Sequence, residues 1–86
     1  ERMAEFNWTE NSKAVFEEAI KSAPLPFRSV TKKSFTKGLT KEVGEGGEVR
    51  EEHVVKVIKA TSPAPFVGQG LKAIEPHLTD PSILDN

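Results

Sequence analysis

The sequence predicts an all-α fold: a compact bundle of three main helices plus a short fourth, with proline-rich corners and an extended C-terminal tail. Three observations carry this. Apolar residues recur at three- and four-residue spacing in separate runs. A stiff corner, Ala23-Pro24-Leu25-Pro26-Phe27-Arg28, divides the first two runs, and a second, Ser62-Pro63-Ala64-Pro65-Phe66, follows the third. There is no cysteine, so packing must hold the fold without disulfides or thiolate metal sites.

The 86 residues suffice for one small domain. We divide them into a lead (1–8), a helical domain (9–75) and a tail (76–86). The lead is mostly polar and is expected to fray. The chain starts at Glu1 and not Met, which points to a processed chain or a piece of something larger.

Thr9 is the expected N-cap of the first helix, its hydroxyl accepting an orphan backbone N–H. Glu10 places negative charge in the first turn, where the helix dipole favours it. Val15/Ala19 and Phe16/Ile20 are i,i+4 pairs, with Glu17, Glu18 and Lys13 on the wet side. The helix runs from about Glu10 to Ser22, and Pro24 ends it, because the residue before a proline leaves the α region. Trp8, just before it, is expected to staple the first turn to the core.

Pro26 suits a helix start, where its missing N–H costs nothing. Phe27, Val30, Phe35, Leu39 and Val43 then recur at steps of three, five, four and four, predicting a second helix of about four turns. Gly38 costs this helix about 1 kcal/mol against alanine, so tertiary packing must hold it or a close neighbour must need the glycine. Lys33, Lys37 and Lys41 stand four apart, as do Arg28 and Lys32. They form a basic flank beside the apolar stripe. Gly44 is the natural left-handed C-cap.

The run from Glu51 to Ala60 is read as a third helix with Val54, Val57 and Ile58 on its inner face and Glu51 and Glu52 at its positive end. Its β-branched residues also allow a strand from Val54 to Ile58. Helix is preferred because the charges separate into the right turns. Val67, Leu71 and Ile74 predict a short fourth helix, weakened by Gly68 and Gly70 and ended at Glu75-Pro76. The tail's Leu78, Ile83 and Leu84 need a surface, on this domain or on a partner.

Little here suggests reaction chemistry. His53 and His77 lack companions at metal-ligand spacing, and no nucleophile–histidine–acid pattern is present. Gly44-Glu45-Gly46-Gly47 lacks the lysine and hydroxyl residue of a phosphate loop and reads as a turn between helices. Arg28 can bond the last carbonyls of the first helix, pair with Glu18, or face a ligand, and the structural role is preferred. The net charge of −1 and the absence of an ~18-residue apolar run argue against nucleic acid as a partner and against a transmembrane span.

Trp8, the proline corner with Arg28, the basic helix ending at Gly44, and then Val49, Glu51, Glu52 and Val54 come in a familiar order. The stretch from Trp8 to Ile58 resembles the small C-terminal domain of the B subunit of light-independent protochlorophyllide reductase. Thr36, Leu39 and Arg50 stand where that family usually shows glutamate, alanine and a threonine cap, so the chain looks like a divergent or stand-alone member. The resemblance implies a link to chlorophyll biosynthesis or a photosynthetic complex such as a photosystem. It implies a bacterial cytoplasm or chloroplast stroma, or the thylakoid surface. The parent enzyme's iron–sulfur cluster is held mainly by cysteines, which this chain lacks, so no cofactor and no catalytic residue are carried over.

The expected role is a non-catalytic binding or assembly module docked on a larger protein. Trp8, Arg28, Lys32, Lys33, Lys37, Lys41 and Leu78 are the expected contacts, together with the proline corners. Two rival readings follow. One is an accessory domain of a protochlorophyllide reductase-type enzyme, with Arg28 and the lysines holding a tetrapyrrole carboxylate. The other is a nucleic-acid-binding bundle using Lys33, Lys37 and Lys41, which predicts salt-dependent affinity.

Overall fold

In the computed structural model, residues 6–62 and 64–85 are described; residues 1–5 of the lead, Pro63 of the second corner and Asn86 of the tail lie outside them. Four helices account for most of the chain: α1 (Ser12–Lys21), α2 (Arg28–Val43), α3 (Glu51–Thr61) and α4 (Ala64–Ile74). The third run is a helix, as preferred from its charge pattern. The shortest axis of the molecule is 18 Å, under two helix diameters of ~10 Å, so every helix keeps a face toward solvent. No helix among the described residues is long and apolar enough to cross a membrane.

The core draws on part of each expected stripe, with Val55 added. Val15, Phe16 and Ala19 of α1 meet Phe35 and Leu39 of α2, and Val54, Val55, Val57 and Ile58 of α3. Ile74 closes it from α4. Trp8 is half-buried, its ring 5.1 Å from that of Phe16 and 5.6 Å from that of Phe6, in the tilted and edge-on arrangements that aromatic quadrupoles favour. Trp8 thus packs on the core, through Phe16 of the second turn of α1 and not through its first.

Two features depart from the expected N-terminal half. First, Asn7–Trp8 (β1) pairs in parallel with Glu48–Val49 (β2), Trp8 opposite Val49. Second, Thr9 is not the cap of α1. Ser12 opens the helix after Asn11, and the Thr9 hydroxyl donates to the Val49 carbonyl at 3.0 Å. Strand pairing explains the change, since it also brings the Thr9 N–H to that carbonyl at 3.0 Å. The buried Ser12 hydroxyl donates there too, at 2.8 Å.

The starts of α1 and α3 cap each other. The Asn11 N–H donates to the Glu51 carboxylate at 3.0 Å, and the Glu51 N–H donates to the Glu10 carboxylate at 3.2 Å. Glu10 adopts a φ of 55° to do so, a left-handed conformation that costs a non-glycine residue about 1–2 kcal/mol. His53 accepts the Arg50 N–H on Nδ1 at 3.0 Å. An arginine side chain has no acceptor to return the bond, so only this half of a capping box forms.

At the other end of α2, Gly44 stops the helix with φ 82° and ψ 159°. This is a glycine region, though extended and not the αL geometry expected. Gly38 faces α3, where a Cβ would lie 2.9 Å from Val57 Cγ1. The neighbour that needs the glycine is therefore Val57. Lys56 donates to Glu42 at 2.7 Å across the same helix pair.

The tail does not run out extended. It folds back on its own domain through two 3-10 turns, Glu75–His77 and Pro81–Asp85. Leu78 enters the core, and Ile83 and Leu84 pack against it. The surface the tail needed is supplied by α1 and α3. Asn11 Nδ2 donates to His77 O at 2.7 Å, and Lys59 Nζ donates to Leu84 O at 2.6 Å.

Candidate functional site

Two concavities flank α2. The first is a groove of about 430 Å³ between the end of α1, the start of α2 and the start of α4. Its walls include Pro24, Phe27, Val30 and Phe35 from the first corner and α2, and Phe66, Gln69 and Gly70 from α4. Among the described residues, no charged side chain lines it. The large hydrophobic side chains exposed among the described residues are Leu25, Phe27, Val30 and Phe66. Three of these line this groove, and Leu25 follows its Pro24 in the chain.

The sequence puts Phe27 and Val30 on one apolar stripe with Phe35, Leu39 and Val43. Val30 is instead 61% exposed and Phe27 60%. The step of five from Val30 to Phe35 explains this. Five residues turn a helix ~140° past a full circle, so the two cannot share a narrow stripe. Once Phe35 and Leu39 face the core, the earlier apolar residues face the groove. That five-residue step was the sequence signal for the site. The two corners, recognised as a repeated motif, supply its facing aromatics, Phe27 and Phe66.

The second concavity, about 460 Å³, lies on the other side of α2. Trp8, Phe6 and Phe16 meet Lys13, Lys21 and Lys32 there, with Glu17 among them. Its aromatic rings already pack on one another, so it offers less open apolar surface than the groove.

The residues expected to make contacts are dispersed. Trp8 and Lys32 meet in the second cleft. Lys33, Lys37 and Lys41 are exposed along the outer face of α2. Arg28 adopts the preferred structural role: Nε donates to Ala23 O and Nη2 to Lys21 O, each at 3.0 Å. It joins the end of α1 to the start of α2 and so sets the angle of the groove's wall. Leu78, expected as a partner contact, is only 8% exposed and belongs to the core.

Glu51 was assigned only a dipole role. It is in fact 3% exposed. Thr79 N and Oγ1 each donate to its carboxylate at 2.7 Å, besides Asn11 N. Burial pushes its pKa up, but the bonds from Thr79 and Asn11 outweigh burial and hold the carboxyl below its ordinary range. With all three donors engaged, this carboxylate is a structural clamp. Among the described residues, no three His, Asp or Glu side chains gather in a way that could hold a metal ion.

The chain matches no protein-family model, no curated protein and no solved structure.

Proposed function

We propose that this domain is a non-catalytic binding or assembly module that docks on a larger protein by seating a segment of it in the groove between α2 and α4. The observation that carries this is the gathering of Phe27, Val30 and Phe66, exposed, around one concave surface with no charge among its described lining residues. A rimmed apolar patch is the ordinary mark of a protein interface. Covering a large apolar side chain yields about 1.5–3 kcal/mol, and three such anchors can outweigh part of the entropy lost on association. The resemblance of Trp8 to Ile58 to the reductase domain suggests where the partner belongs: chlorophyll synthesis or a photosynthetic complex, in a bacterial cytoplasm or chloroplast stroma.

The test is a pull-down of the tagged chain from a photosynthetic cell extract, in parallel with Val30→Ser/Phe66→Ser. Both side chains are more than half exposed, so the double variant is expected to keep its fold within about 0.5 kcal/mol per site. A stoichiometric chlorophyll-synthesis or photosystem protein, captured by the native chain and lost with the variant, is the expected result. Capture that survives the variant, or no specific partner, would overturn the proposal.

A further inference from the structure

We infer that the segment this groove receives is an acidic amphipathic helix, an inference that rests on the groove being a docking site. The charge of its walls carries it. From Arg28 to Lys41 the chain holds five cations and no acid, and α4 holds Lys72 and no acid. Lys37 stands seven residues from Val30, two helical turns along the same face, so a basic strip borders the lip that Val30 forms. Lys41 extends it by another turn. On the far wall, Lys72 follows Gln69 by three residues. These side chains are exposed; Lys37, ~10 Å along the axis from Val30, stands about one Debye length from the lip, and Lys41 adds to the field beyond the groove's end.

An occupant with an apolar seam and acidic flanks is therefore favoured, and one with basic flanks is repelled. A second copy of this chain docked by two-fold symmetry would set the basic lip of one groove against the same lip of the other. Length selects a helix. Phe27, just before α2, to Phe35 spans ~12 Å, which accommodates two turns of a helix with apolar side chains at i, i+3, i+4 and i+7.

The experiment is selection from a displayed library of amphipathic peptides of roughly 16 residues, long enough to hold helical structure. The apolar seam is kept and the flanks vary among Glu, Lys, Gln and Ser. The bait is the whole chain, with Lys37→Glu/Lys41→Glu and Val30→Ser/Phe66→Ser as comparisons. Recovered peptides should be rich in Glu. They should bind the lysine variant about tenfold or more weakly and should fail to bind the groove variant. Selection without acidic bias, or acidic binders indifferent to the lysine variant, would overturn the inference while docking in the groove survives through its dependence on Val30 and Phe66. Recovery of no helix at all overturns the inference, whatever the pull-down then says of docking. So does a salt-dependent affinity for a single-stranded oligonucleotide that only the lysine variant removes, and that outcome would assign the basic strip to nucleic acid.

Discussion

At Glu51 one carboxylate joins three parts of the chain: the start of α1, the start of α3 and the tail. Glutamine in its place has one acceptor oxygen and turns an NH₂ toward groups that donate. Glu51→Gln is expected to cost about 1–3 kcal/mol at neutral pH, read as a lower midpoint in thermal or urea unfolding. The sign with pH follows from the folded-state pKa lying below the ordinary value of 4.5. The unfolded chain then binds the proton more readily, so acid favours unfolding. The contribution is complete above about pH 4.5 and is lost as pH falls through the lower folded value. The gap between native and variant midpoints should therefore narrow in acid; a gap that stays constant would refute the clamp. Arg28 was readable as a carbonyl-bonding residue because it follows a helix end by a short corner. Glu51 was not, because nothing in the sequence separates it from its exposed neighbour Glu52.

Among the elements, α2 depends most on its surroundings. Gly38 lets it approach α3, and alanine there would place a methyl group 2.9 Å from Val57 Cγ1 and 3.3 Å from Thr61 Cγ2. Helix propensity alone predicts a gain of about 1 kcal/mol for Gly38→Ala. The expected result is a net loss, because a β-branched valine has little rotamer freedom with which to yield. Trimming the neighbour should recover part of it. In a double-mutant cycle, Gly38→Ala should cost less in a Val57→Ala background than alone, and a cycle with no coupling would show that the approach is not tight. A close neighbour at Gly38 was one of the two readings that the sequence offered. The β1–β2 pairing was not, since a two-residue strand is too short to leave a periodic pattern.

For the molecule as a whole, the tail is part of the domain. Ending the chain after Glu75 removes buried Leu78 and both Thr79 donors to Glu51. Loss of a buried leucine costs about 2–5 kcal/mol, and each kcal/mol lowers the melting temperature of a domain this size by roughly 4–8 °C. The shortened chain should melt at least about 10 °C lower, with Leu78→Ala reproducing much of the change; an unchanged midpoint would mean that the tail does not pack. The groove responds differently. Val30 and Phe66 contribute little to stability, so their loss should separate binding from folding.

Three helices, the corner between α1 and α2, the breaks at Gly44 and Pro76 and the lack of cysteine were legible in the sequence, with helix preferred over strand for the third run. These are local matters: periodicity, backbone restriction and residue type act over a few neighbours. Tertiary structure alone decided which apolar residues are core and which are surface. It turned Phe27 and Val30 outward and Leu78 inward, because burial depends on what the other helices already cover. It also made Glu51 a clamp, since its donors come from positions 40 residues before it and 28 after it.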